Sequence, residues 1–148
     1  MTRTQRIQPV QRIVDDRERE QAKAVAVARQ KVAEAEAKLA ELARYREDYH
    51  RGFQTEAAGG ASGLRLRDFR LFLARLDEAL RQQEQIVLRS KSEQEQQMRL
   101  WLESQRRAKA LGIVVDRWRG DERRAAERQD QRETDERAAV MAARKPTA

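Results

Sequence analysis

Three glycines fall within five residues, Gly59-Gly60-Ala61-Ser62-Gly63, and a long, highly charged arm lies on either side of them. A continuous helix through that stretch would carry the largest backbone-entropy cost of any residue type three times over. The chain therefore has to turn there. Each arm is dominated by Ala, Leu, Glu, Gln, Arg and Lys, all good helix formers, and the only prolines, Pro9 and Pro146, sit near the ends. With 39% charged and 5% aromatic residues there is too little apolar material for a thick globular core. A helix-on-helix seam needs far less. The expected fold is all-α: two long helices in an antiparallel coiled-coil hairpin forming a single domain over residues 1–148. Disorder is the rival reading, and the regular apolar spacing argues against it.

The expected boundaries are helix 1 at about 9–53, a turn at about 54–64, helix 2 at about 65–137 and a tail at 138–148. Pro9 suits the first helical position, where its missing N–H would have no intrahelical partner. Gly112 and Gly120 point to a bend near 112–120.

Stepping alternately by four and three from Val14 gives one stripe, which reads Glu18, Gln21, Val25, Ala28, Val32, Ala35, Leu39, Leu42, Arg46, Tyr49 and Phe53. It is apolar from Val25 onward, apart from Arg46. On the second arm the stripe runs from Leu66 through Phe69, Leu73, Leu76, Leu80, Gln83 and Val87. It continues through Ser90, Gln94, Gln97, Trp101, Ser104, Ala108, Leu111, Val115 and Trp118. This seam is apolar at both ends and polar in its middle, where weaker packing or polar cross-contacts are expected. Acidic residues standing four positions before basic ones, as in Asp15/Arg19, Glu47/Arg51 and Asp77/Arg81, support both helices by about 0.2 to 0.5 kcal/mol each.

A two-helix hairpin needs only one seam, yet a second apolar stripe lies beside it near the turn. Lys38, Leu42, Tyr45 and Tyr49 follow helical steps on the first arm, and Phe72, Leu76, Ala79 and Gln83 do so on the second. One reading is a core broadened locally; the other is a docking surface, since a hairpin has no third layer to cover such a stripe.

Chemistry of other kinds finds little material. The chain has no cysteine and a single histidine, His50, read as an ordinary exposed residue. It lacks a Gly-rich phosphate loop and His or Cys at metal-ligand spacing, so no catalytic residue, metal or cofactor is expected. No run of 18 apolar residues and no apolar leader segment occurs, and a soluble, unsecreted protein is expected. A net charge of +7 implies an acidic partner of some kind.

The ordered set Tyr45-Arg46-Glu47-Asp48-Tyr49, the glycine turn, Arg67 through Leu80 (RDFRLFLARLDEAL), Gln82-Gln83 and the terminal Ala142-Ala143-Arg144-Lys145-Pro146 resembles the FliJ family. These are small proteins of the bacterial flagellar type III export apparatus. The resemblance implies a non-catalytic stalk seated in the ring of the export ATPase (FliI-like), with contacts to an export gate protein (FlhA-like) and to export chaperones. It implies a cytoplasmic location, peripheral to the inner membrane at the flagellar base, with the membrane met only through the apparatus and with no small-molecule substrate. Carried over onto this chain, the gate-binding patch is Leu42, Tyr45, Tyr49, Phe72, Leu76 and Ala79. The ATPase end is then the termini, roughly residues 8–24 and 118–139. A competing reading is a basic coiled-coil nucleic-acid binder using Arg99, Arg106, Arg107, Lys109, Arg117 and Arg119, and another is the equivalent stalk of a virulence type III secretion system.

Overall fold

The computed structural model describes residues 1–144. Among them stand two helices, α1 (Arg3–Ala58) and α2 (Gly63–Arg144), packed against each other as an all-α hairpin without strands. At about 1.5 Å per residue, their 56 and 82 residues correspond to about 84 and 123 Å of helix. Lys145 and Pro146, which belong to the terminal motif and the expected tail, lie outside the described residues.

The turn is shorter than the expected 54–64, because the connection spends each of its four residues on capping. Gly60 has φ +81°, its N–H donates to the Ala57 carbonyl at 3.3 Å, and the Ala61 N–H donates to the Glu56 carbonyl at 3.0 Å. This pair of bonds is a Schellman motif, which satisfies the last carbonyls of α1 around a left-handed residue. Ser62 then caps α2, its Oγ accepting from the Arg65 N–H at 3.3 Å. Helix 1 therefore continues past Phe53 to Ala58, and helix 2 starts at Gly63 rather than 65. Gly60→Ala should cost about 1 kcal/mol, the penalty of a Cβ in the left-handed region. A urea midpoint unchanged by that substitution would show that the turn contributes no conformational specificity.

The chain divides into two compact units, residues 20–102 and residues 1–19 with 103–148. In the first, the core holds Val25, Ala28, Val32 and Ala35 from α1 against Leu76, Gln83 and Val87 from α2, all buried. Leu39, Phe69, Leu73, Leu80 and Trp101 are half-buried along the same line. Two polar pairs cross this seam. Arg46 Nε donates to Asp77 Oδ1 at 2.7 Å, and the hydrogen bond and charge of Asp77 hold the guanidinium still more firmly in its charged form. Gln83, 5% exposed, donates through Nε2 to the Ala35 carbonyl at 3.0 Å. Around the polar middle, Ser90, Gln94 and Gln97 are half-buried. A cleft of about 610 Å³ opens there between Val32, Glu36, Lys91, Gln94 and Met98, spanned by a Lys91–Glu36 ion pair at 3.2 Å.

In the second unit, α1 begins at Arg3 and not near Pro9, which lies inside the helix. The missing Pro9 N–H is offset by a capping box one turn upstream. The Gln5 N–H donates to Thr2 Oγ1 at 3.2 Å, and the Thr2 N–H donates to Gln5 Oε1 at 3.1 Å. The Thr4 N–H donates to Glu122 Oε1 at 3.2 Å, and the Arg3 guanidinium stands 5.0 Å from the Trp118 ring, fastening the end of α1 to α2. Val115 is fully buried, Ser104 is buried, and Val14, Ala108, Leu111 and Trp118 are half-buried. α2 runs uninterrupted through Gly112 and Gly120 and past 137 to Arg144, so the tail expected from residue 138 is helical as far as it is described. From Arg123 to Arg144 every residue is exposed. Side-chain pairing supports that stretch, including Gln129 to Glu133 at 3.2 Å and Gln131 to Asp135 at 3.1 Å.

Candidate protein-interaction site

Five of the seven aromatic residues of the chain converge beside the turn, in the unit of residues 20–102. The reason is local. Tyr45, Tyr49 and Phe53 recur at four-residue spacing on α1, and Phe69 and Phe72 stand three apart on α2, so each set lies on one side of its helix. The antiparallel pairing then brings the sets together. Tyr49 is the hub, with ring centroids 4.4 Å from Phe72 and 5.0 Å from Phe69. Phe53 lies 5.9 Å from Phe69, while Tyr45 meets Phe72 edge-on at 6.2 Å and 87°. Such offset and edge-to-face pairs contribute about 0.5–1.5 kcal/mol each beyond the area they bury. Arg70 caps the far end, 6.0 Å from the Phe53 ring.

The six patch residues expected from the sequence do not share one environment. Tyr45 is 51% exposed, whereas Leu76 at 7% belongs to the core. Leu42, Tyr49, Phe72 and Ala79 are half-buried. The accessible face is thus Tyr45 with the outer edges of Leu42, Tyr49, Phe72 and Ala79, and Leu76 supports it from beneath. Of the two flanking positions, Lys38 is exposed while Gln83 is turned into the seam. His50 is half-buried, 6.4 Å from Phe53, and not the exposed residue expected.

Phe53 and Phe69, expected on the seam, also complete the aromatic cluster. Their signal was present as aromatics one helical turn from Tyr49 and Phe72. The ion pairs also differ in partner. Asp77, four residues before Arg81, instead serves Arg46, and Arg81 pairs with Glu78 at 2.9 Å. Arg19 pairs with Asp16 at 3.4 Å and not with Asp15, while Glu47 and Arg51 do approach within 3.7 Å.

Of the basic residues named for a nucleic-acid binder, Arg99 lies in the unit of residues 20–102 and Arg106, Arg107, Lys109, Arg117 and Arg119 lie in the other, all of them exposed. Arg119 approaches Asp116 at 4.0 Å. Among the described residues no group of three or more His, Cys, Asp or Glu could hold a metal ion, and no helix is long and apolar enough to cross a membrane. Compared with known proteins, residues 3–147 match the family model FliJ, described as flagellar FliJ protein. No curated protein and no solved structure matches the chain.

Proposed function

The chain belongs to the FliJ family, and on that premise we propose that it is the non-catalytic stalk of the flagellar export machinery, promoting assembly and activity of the export ATPase ring. Membership makes it a component associated with flagellar type III protein export. The finer reading gives the hairpin two working ends. The aromatic face at Tyr45 and Phe72 engages the export gate protein, and the termini, including the exposed helix of residues 123–144, engage the ATPase ring. Export chaperones are further partners, and the protein works at the cytoplasmic side of the membrane without entering it.

The observation that carries this reading is Tyr45. A half-exposed phenol rests edge-on against Phe72 on a structure only two helices thick, where a partner can cover the ring and still bond its hydroxyl. An effect on ATP turnover would be a coupling effect, requiring higher affinity for the assembled ring than for free subunits. The test is titration of the protein into the purified export ATPase with ring formation and ATP turnover both followed. Both should rise and saturate together; no change in either removes the stalk reading.

A further inference from the structure

In the unit of residues 1–19 and 103–148, charge is distributed in a way that the stalk reading does not require. Residues 1–14 carry Arg3, Arg6 and Arg12, residues 104–115 carry Arg106, Arg107 and Lys109, and neither segment contains an acid. Ile13 and Val14 of the first segment line one cleft with Ser104 and Arg107 of the second, and the Arg3–Trp118 and Thr4–Glu122 contacts join α1 to α2 just beyond. Helical steps of four, three and four place Arg6, Val10, Ile13 and Arg17 on one flank of α1. Steps of three, four and three place Arg107, Ala110, Val114 and Arg117 on one flank of α2.

The two flanks open on the same side. A cleft of about 120 Å³ is lined jointly by Ile13, Val14 and Arg17 of α1 and by Ser104 and Arg107 of α2. Beside it Ile13 is 66%, Val10 47% and Val114 37% exposed. The acids on the α2 flank lie at its two ends, Glu103 and Asp121, and Asp121 is already bound to Arg124. The result is a strip of exposed aliphatic side chains bordered by Arg6, Arg17, Arg107 and Arg117.

We infer that this strip is a docking groove for an acidic amphipathic helix of a partner protein, whose apolar face covers Val10, Ile13 and Val114 while its flanking carboxylates meet the arginines. The inference rests on the stalk reading only for where that helix comes from, the ATPase side of the apparatus. Helix-in-groove recognition reads apolar anchors at i, i+3, i+4 and i+7, and Arg6 to Arg17 spans about 16 Å, three helical turns. Nucleic acid fits less well. A phosphate backbone would leave the three aliphatics uncovered, and the groove offers no free aromatic platform for bases, Trp118 being half-buried with Arg3 against its ring. Charge complementarity here sets orientation and association rate, with the aliphatic contacts resisting dissociation.

The test uses the full-length protein and a fluorescent 18-residue helical peptide, leucines on one face and glutamates on the other, with a scrambled peptide of the same composition and a 20-base-pair DNA duplex alongside. The patterned peptide should bind at least about ten-fold tighter than the scrambled one, and more weakly as salt rises. Arg107→Glu and Ile13→Asp should each weaken it by about ten-fold or more. Lys109→Glu makes the same charge change on a different face and should alter it by less than about two-fold; circular dichroism confirms that each variant keeps its helix content. Equal binding of the scrambled peptide, preference for the duplex, or indifference to both groove substitutions would overturn the inference. The ATPase titration separates the two proposals. Intact ring stimulation with no peptide binding removes the groove alone, and peptide binding with no ring stimulation removes the stalk reading alone.

Discussion

Gln83→Glu should melt well below the parent protein at neutral pH and recover toward it on acidification. Gln83 is 5% exposed and donates to the Ala35 carbonyl at 3.0 Å. A carboxylate at that position has no proton to donate, loses its hydration and faces a carbonyl oxygen. The expected cost is about 2–4 kcal/mol, a large part of the stability of a single domain. The sign of the pH dependence follows from linkage. Burial and the carbonyl raise the folded carboxyl pKa above its unfolded value of about 4.3. The penalty is therefore complete above the folded pKa, shrinks as pH falls through it, and is gone below the unfolded value, where the protonated acid can donate to Ala35. Gln83→Leu removes the donor but adds no charge, and the Ala35 carbonyl keeps its helical partner, so the cost should be only about 1 kcal/mol. Urea unfolding followed by circular dichroism at pH 7 and pH 4, each referenced to the parent, measures all three. A Gln83→Glu variant as stable as the parent at pH 7 would mean that the cross-helix bond does not form.

Tyr45→Asp should abolish most of the gate-protein binding proposed above while leaving the hairpin folded. The ring is half exposed and touches the rest of the cluster mainly through the edge of Phe72 and the tilted ring of Tyr49 at 6.4 Å. Its loss therefore costs little packing, on the order of 1 kcal/mol. Placing a carboxylate at the centre of an interface costs far more, and a loss of about 100-fold in affinity is expected from desolvating an unpaired charge. Phe72→Ala makes the comparison, because Phe72 packs on Tyr49 at 4.4 Å and its removal should lower stability by about 3 kcal/mol as well as binding. Calorimetry against the isolated gate protein, with the ATPase titration run on the same variants, reads both ends. Unaltered gate affinity for Tyr45→Asp would eliminate this face as the contact, and equal loss of ATPase stimulation would contradict the separation of the two ends.

The seam was legible because it is a property of spacing. Each position from Val14 to Phe53 and from Leu66 to Trp118 that falls on the alternating three-and-four step is buried or half-buried. The start of α1 was not legible in the same way: the T-x-x-Q spacing of Thr2 and Gln5 is a capping-box pattern that the expected start near Pro9 leaves out. Pro9 suits a first helical position, where its missing N–H costs nothing, but the chain places it inside α1, because the turn before it is held by Thr2, Gln5 and the Thr4–Glu122 bond. The patch was legible as a stripe and not as a surface. Spacing alone put Leu76 and Tyr45 on the same list, and only packing separates a side chain 7% exposed from one 51% exposed.

By itself the sequence determined the hairpin, its turn and the faces that meet, because helical periodicity and the cost of three clustered glycines act within a single arm. The tertiary structure decided which residues meet across the seam. A shift of one helix by a turn would preserve every stripe and still break Gln83 from Ala35 and Arg46 from Asp77. It would also move Phe72 away from Tyr49 and close or open the groove at Ile13 and Arg107. Register between two long helices is set jointly by these side-chain contacts and by the four-residue turn that couples their ends, and neither is written in the spacing of one arm.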